Sequence, residues 1–382
     1  MLVVADRQIP FLRGVLEPYA DVVYLDGGSI SPADVKHADA LLVRTRTQCD
    51  SALLQASQVR FVGSATIGTD HFDIPWLESQ KISWANAPGC NANAVTQYVV
   101  AALLTIAVRH GISLEGKVLG VVGVGAVGAR VAVAAKILGM KVLLNDPPRV
   151  EREGRRCGCE GINSLLRQCD FITFHTPLTT EGKHPTWRMA NGSFLSKLSP
   201  HTWLINSSRG SVVDNTALRI ALRSNSISGA VLDVWEDEPN NIDQELLNLL
   251  EIGTPHIAGY SVEGKANGTS QIVQALARNL AIEDLQKWSV PSEVLNAIPG
   301  GVVQIDADKG SDELVLHEAV MHSYDIISDD ATLRQDTTSF EDQRSHYSYR
   351  REFPAFTVEL RNAQPSLVTK VKGLGFKVCL LS

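Results

Sequence analysis

The chain has 382 residues, 44% hydrophobic and 20% charged, which excludes a disordered polymer and exceeds what one hydrophobic core usually organises. A formal charge of −7 lacks the basic excess of a nucleic-acid-binding protein, so any anionic ligand must meet local positive charge. The six cysteines are scattered, with no ligand-spaced partner around Cys157-Gly-Cys159, and the apolar runs fall short of the ~20 residues of a membrane span. The start, Met-Leu-Val-Val-Ala-Asp, reads as a strand and not as a signal peptide, so the expectation is a cytoplasmic protein with no metal site and no membrane segment.

Short β-branched or apolar runs alternate with helix-compatible stretches from the beginning. Residues 2–6, 22–26, 40–44, 60–64 and 82–85 are predicted strands of a parallel α/β unit. A long helical pattern follows at 92–110, and a second α/β series then runs from Val118 to about Ile257. Its predicted strands are 118–123, 141–146, 171–176, 202–206 and 230–234. These are apolar almost throughout, as burial on both faces of a doubly wound sheet requires. A second long helical pattern covers 262–288. If it packs back onto the first domain, the chain crosses between domains twice and a hinge results. Beyond Pro291 the pattern changes: a helix-like stretch at 311–327, a polar run rich in Arg and Tyr, and a strand at 356–360 form a third, smaller unit.

The predicted strand from Val118 runs directly into Gly123-Val-Gly125-Ala-Val-Gly128 and then a helical pattern, the context in which G-x-G-x-x-G binds a dinucleotide. Gly123 would make the tight turn, Gly125 would let pyrophosphate approach the backbone, and Gly128 would let helix and strand pack closely. The phosphates would rest on the helix N-terminus, where unpaired N–H groups favour anions. The next predicted strand ends in Asp146, eighteen residues after Gly128, where a carboxylate accepts from ribose hydroxyls and repels a 2′-phosphate. That favours NAD over NADP. Arg149 is either a solvated loop residue or a counterweight to this preference.

Oxidising a hydroxy acid needs a base for the hydroxyl proton, a cation for the carboxylate and a group that keeps the base correctly protonated. Asn206-Ser-Ser-Arg209-Gly210, Asp233-Val-Trp-Glu-Asp-Glu238-Pro239 and His256-Ile-Ala-Gly259 place such residues just past apolar strands. Taken singly, Arg209 also suits a surface ion pair, Glu238 a loop acid and His256 a core histidine. His175 competes for the role of base but lacks the Pro-His-x-x-Gly setting of His256.

In order and spacing these three segments resemble the N-x-x-R-G, D-V-F-x-x-E-P and H-x-x-G segments of the D-2-hydroxyacid dehydrogenases, with Trp235 where phenylalanine is usual. The resemblance implies an NAD-dependent dehydrogenase in which Arg209 binds the carboxylate and polarises the C2 oxygen, His256 is the acid/base and Glu238 orients it. It implies that Asp233 touches the nicotinamide carboxamide, with Val127, Thr176, Ser207 and Gly259 as further cofactor contacts. The segments Arg44-Thr45-Arg46-Thr47 and Ser64-Ala-Thr66, with Tyr260 and the extra C-terminal unit, resemble members that act on a phosphorylated hydroxy acid and form homodimers through a C-terminal domain. Thr45, Thr66 and Tyr260 would then contact substrate, and Arg44 and Arg46 would suit its phosphate. Alternate residues of an extended segment face opposite sides, so a turn after Arg44 is predicted. Should those arginines not read the phosphate, Arg344, Arg350 and Arg351 of the tail, from either subunit, come next.

The expected architecture is α/β. Residues 1–91 with 263–288 form a flavodoxin-like substrate domain, 92–262 a Rossmann-like NAD-binding domain, both doubly wound parallel sheets, and 289–382 a small α+β dimerisation domain. Another dehydrogenase of the family and a non-catalytic NAD-sensing corepressor remain as alternatives, since such corepressors keep the same residues and only turnover separates them.

Overall fold

Strands β1 (Leu2–Asp6), β2 (Asp21–Leu25), β3 (Ala40–Val43), β4 (Phe61–Ser64) and β5 (Ser83–Ala85) form a parallel sheet in the order β2-β1-β3-β4-β5. Successive side chains of a strand leave on opposite faces. Val3, Ala5, Leu42 and Phe61 accordingly pack with Ile272, Val273 and Leu276 of the helix Val262–Asn279, while Val4, Leu41, Val43 and Val62 pack with Leu53 and Leu77 on the other side. The computed structural model describes residues 1–381, and this sheet with that helix is the centre of one compact unit, Met1–Asn91 with Ser261–Ile298. The helical pattern read through to 288 ends earlier, at Asn279. Ala281 adopts a left-handed φ of 56°, and only a short 3-10 turn, Glu283–Leu285, follows.

The second unit runs from Ala92 to Tyr260 and resumes at Pro299. Its large sheet contains β6 (Val118–Val122), β7 (Lys141–Asn145), β8 (Phe171–Phe174), β9 (Trp203–Asn206), β10 (Gly229–Leu232) and β11 (Ile252–Gly253), all parallel, in the order β7-β6-β8-β9-β10-β11. After β7 the chain crosses to the far side of β6 before forming β8, so the loops after β6 and β8 diverge and leave a crevice at their C-terminal ends. The helix Ala92–His110, long and apolar enough to match a membrane span, is instead a core helix, buried almost continuously from Ala92 to Ala107.

A third sheet, β12 (Val302–Asp306), β13 (Thr357–Arg361) and β14 (Lys377–Leu381), is parallel in that order, because helices carry both connections. The tail was expected to stand as a separate domain, yet it shares a core with the nucleotide-type sheet. Val315, Leu316, Ala319 and Val320 of the helix Asp312–Ser323 belong to the same buried cluster as Leu103 and Ile106. A segment this short buries little apolar surface by itself, and the helix Ala92–His110 supplies the missing floor. The tail also covers the edge of the large sheet. Gly253 of β11 donates to Asp330 Oδ1 at 2.7 Å, and Arg334 donates to the Leu247 and Leu250 carbonyls at 2.7 and 3.0 Å.

Candidate active site

At the β6–β8 crevice the glycine loop has the required shape. Gly123 has φ +87°, and a Cβ there would lie 2.6 Å from the His175 carbonyl oxygen. A Cβ on Gly128 would lie 1.9 Å from the Gly123 carbonyl oxygen, so helix and strand meet only through glycine. Gly125 caps the helix Ala126–Ile137, and a Cβ there would meet nothing within 4 Å, which leaves open room in front of the first helical turn, where Val127 sits. Asp146 accepts from the Val124 N–H and the Arg149 N–H, each at 2.9 Å, tying the glycine loop to the end of β7. Arg149 is no loose surface residue: it reaches the Val124 carbonyl at 3.3 Å and pairs with Glu153 at 2.9 Å.

Two residues expected to contact the cofactor carry buried hydroxyls, Thr176 Oγ1 and Ser207 Oγ, that find no hydrogen-bond partner among the described residues. Unsatisfied buried hydroxyls are costly. Thr176 lies against Gly123 of the glycine loop and Ser207 follows β9, and both hydroxyls fit a dinucleotide that would satisfy them. The rival His175 is turned to other use, with Nε2 3.0 Å from Thr173 Oγ1 and its imidazole pushed by desolvation down to about 3.

The candidate reacting residues lie on three loops at the ends of β9, β10 and β11. After β9, the Asn206 side chain donates to the Arg209 carbonyl at 2.9 Å and accepts from the Ser208 N–H at 3.1 Å, clasping the turn that presents Arg209. The next residue must be glycine, since a Cβ on Gly210 would lie 1.9 Å from the Trp235 carbonyl oxygen. This close approach seats the Arg209 turn on the segment after β10. There Trp235 is buried and donates through Nε1 to the Thr254 carbonyl at 3.0 Å, a bond that the usual phenylalanine could not make.

Glu238 binds His256 Nδ1 through one carboxylate oxygen and accepts from the Trp235 N–H at 2.9 Å through the other. With Nδ1 engaged, Nε2 is the nitrogen left for proton transfer. Burial raises the Glu238 carboxyl. The charge and hydrogen bond of His256, the Trp235 N–H and the charge of Arg344 outweigh burial and hold it below the ordinary glutamate value.

His256 has a φ of +57°, a strained conformation for a non-glycine residue. Asp233 holds it there. The Asp233 carbonyl accepts from the His256 N–H at 2.7 Å, and its buried carboxylate accepts from Thr254 Oγ1, the Ile257 N–H and the Ala258 N–H at 2.7, 2.8 and 2.9 Å. From the opposite side Arg350 donates to the Ile257 and Ala258 carbonyls at 3.2 and 2.6 Å, braced by Gln97 at 3.1 Å and stacked 3.9 Å from the Tyr324 ring centre. The histidine loop is thus clamped between a carboxylate and a guanidinium. A turn closed by the Tyr260 N–H on the Ile257 carbonyl at 2.8 Å contains Gly259 and ends at Tyr260, whose hydroxyl accepts from Arg344 Nε at 3.2 Å.

Arg44, Thr45, Arg46 and Thr66 lie in the first unit. The chain does turn after Arg44, with Thr45 and Arg46 exposed in the turn. Arg44 is spoken for: Nε is 3.0 Å from Asp6 Oδ2, and Nη2 donates to Gln8 Oε1. Thr66 Oγ1 is 2.7 Å from Ser64 Oγ. Sequence reasoning missed the bracing role of Arg350 and the contact of Arg344 with Tyr260. The one available signal was the density of Arg and Tyr between Arg344 and Arg351.

Comparison with known proteins places these features in a family. Residues 95–258 match the family model of the D-isomer specific 2-hydroxyacid dehydrogenase, NAD binding domain, and residues 299–375 match a domain of unknown function (DUF3410). An erythronate-4-phosphate dehydrogenase of Pseudomonas putida (strain GB-1) is 41% identical over 385 residues, covering 98% of this chain and 99% of that one. One of Porphyromonas gingivalis is 42% identical over 360 residues, covering 94% and 95%. Among solved structures, D-lactate dehydrogenase from Aquifex aeolicus complexed with NAD and lactic acid is similar with a TM-score of 0.63 and 26% identity, covering 75% of this chain and 97% of that one.

Proposed function

The chain belongs to the D-2-hydroxyacid dehydrogenase family, among its erythronate-4-phosphate dehydrogenases, and from that premise we propose that it oxidises 4-phospho-D-erythronate at C2 to 2-oxo-3-hydroxy-4-phosphobutanoate in pyridoxine biosynthesis. The observation that carries this reading is the Glu238–His256 pair on its clamped loop. His256 Nε2 takes the C2 hydroxyl proton, and Glu238 stabilises the imidazolium that forms. Arg209 offers a planar fork to the substrate carboxylate and polarises the C2 oxygen. NAD, when bound, accepts the hydride that leaves C2. Gly123, Gly125, Val127 and Gly128 would cradle its pyrophosphate, Asp146 would receive the ribose hydroxyls, Thr176, Ser207 and Gly259 would line its site, and Asp233 would meet the carboxamide. The family pattern assigns further substrate contacts to Tyr260, Thr45 and Thr66, and Arg46 is a candidate by its charge.

The same reading makes the protein a cytoplasmic homodimer closed through the tail, where Val302, Leu314 and Leu380 are exposed apolar side chains. A panel of 2-hydroxy acids, with and without a 4-phosphate, followed by NADH formation, tests the assignment. 4-Phosphoerythronate should give the highest kcat/KM. Preference for lactate or phosphoglycerate would remove the substrate assignment, and no turnover on any acid would favour the corepressor reading.

A further inference from the structure

The substrate proposed above carries two anionic ends, and Arg209 accounts for one. The inference that follows rests on that reading and concerns the other end. Arg44 is a poor reader of phosphate because its charge is already matched by Asp6, and both side chains are largely buried, 12% and 1% exposed. Arg350 is poorer still. Its N–H groups are spent on Gln97 and on the carbonyls of Ala94, Ile257 and Ala258, so it is scaffold.

Arg344 differs from both. It lies on the helix Phe340–Ser345 of the tail, its side chain is only 18% exposed, and Nε donates to the Tyr260 hydroxyl at 3.2 Å. Tyr260 stands four residues beyond His256, and its ring is held edge-on between Tyr347 and Tyr349, each 6.0 Å away. Among the described residues the carboxylate within 4 Å of Arg344 is Glu341 of the same helix, at a loose 3.6 Å. The guanidinium's charge also reaches Glu238, so it acts on the reacting residues and not on solvent alone. A mostly buried guanidinium with a distant counterion is costly unless an anion completes it, and its fork suits two phosphate oxygens at once.

We propose that Arg344, supplied by the tail of the same chain, binds the substrate phosphate together with the Tyr260 hydroxyl and is the residue that selects a phosphorylated acid.

The test compares wild type, Arg344→Ala and Arg344→Lys in the full-length protein, with 4-phosphoerythronate and with erythronate as substrates. Losing charge-assisted hydrogen bonds should raise KM for the phosphorylated acid roughly ten- to a hundredfold in Arg344→Ala and change kcat/KM for erythronate far less. Arg344→Lys, which keeps the charge and loses the fork, should fall between. Inorganic phosphate, used as a competitive inhibitor, should weaken by a similar factor, while NADH affinity and Tm hold. Equal losses on both substrates, or unchanged inhibition by phosphate, would overturn the proposal. If wild type does not turn over 4-phosphoerythronate, the function proposed above fails. Titration calorimetry with inorganic phosphate then decides this inference alone: weaker binding by Arg344→Ala supports it and equal binding overturns it.

Discussion

At the scale of single residues, the site divides into groups that do chemistry and groups that keep them in place. His256→Ala should lower kcat by roughly 10²- to 10⁴-fold while leaving NADH binding nearly intact, measured by steady-state kinetics and NADH fluorescence titration. A variant with normal turnover would take His256 out of the mechanism. Arg44 belongs to the second group. Arg44→Ala leaves Asp6 buried without its counterion, which costs about 3–5 kcal/mol for a pair of this kind. Urea unfolding should show that loss, and any fall in activity should be equal on phosphorylated and unphosphorylated substrates. A loss confined to the phosphorylated acid would return the phosphate to Arg44.

At the scale of elements, the strands of both large sheets were legible as short apolar runs between turn residues, except β11, which at two residues is too short to show a pattern. Val118–Val122, Phe171–Phe174 and Trp203–Asn206 fall inside the stretches read from the sequence. The glycine loop was legible from its local spacing, and the Arg209, Glu238 and His256 segments through their resemblance to the segments of the family. The tail was read in part: the helical stretch at 311–327 and the strand at 356–360 match Asp312–Ser323 and Thr357–Arg361, and the rest was missed. Its strands β12 and β14 mix polar with exposed apolar residues, and the helix Phe340–Ser345 has the look of a loop. What Arg350 and Arg344 touch is set by the packing of distant segments, which no spacing encodes.

That packing also buries Asp329, whose side chain accepts from the Tyr347 hydroxyl at 3.0 Å. Burial pushes its carboxyl up to about 6, against the opposing pull of Arg350. A raised carboxyl favours folding below its unfolded value near 4, and the contribution disappears as pH rises through about 6. Asp329→Asn should therefore match wild type in stability near pH 4 and exceed it above pH 7, by up to about 3 kcal/mol for a two-unit shift. Urea unfolding across this range is the measurement, and parallel curves for the two proteins would show that Asp329 carries no such cost.

At the scale of the whole molecule, the tail is not an appendage to the second unit. Deleting everything from Pro299 onward should expose Leu103, Ile106 and their neighbours and yield a destabilised, aggregating product, not the folded monomer that a separable domain would leave. Circular dichroism and light scattering would tell these apart. The proposed dimer is better tested with the chain whole: Val302→Asp with Leu380→Asp should give a folded monomer, and a folded dimer would move the interface elsewhere. The clamp on the histidine loop bears on protein engineering as well. A chimera that transplants the tail onto a shorter dehydrogenase cannot succeed by a splice at residue 299 alone. The host must also supply the face of its long core helix that receives Arg350, namely Ala94 and Gln97, or the guanidinium arrives with nothing to brace it. The graft would then fold against the wrong surface and leave the His256 loop without its support.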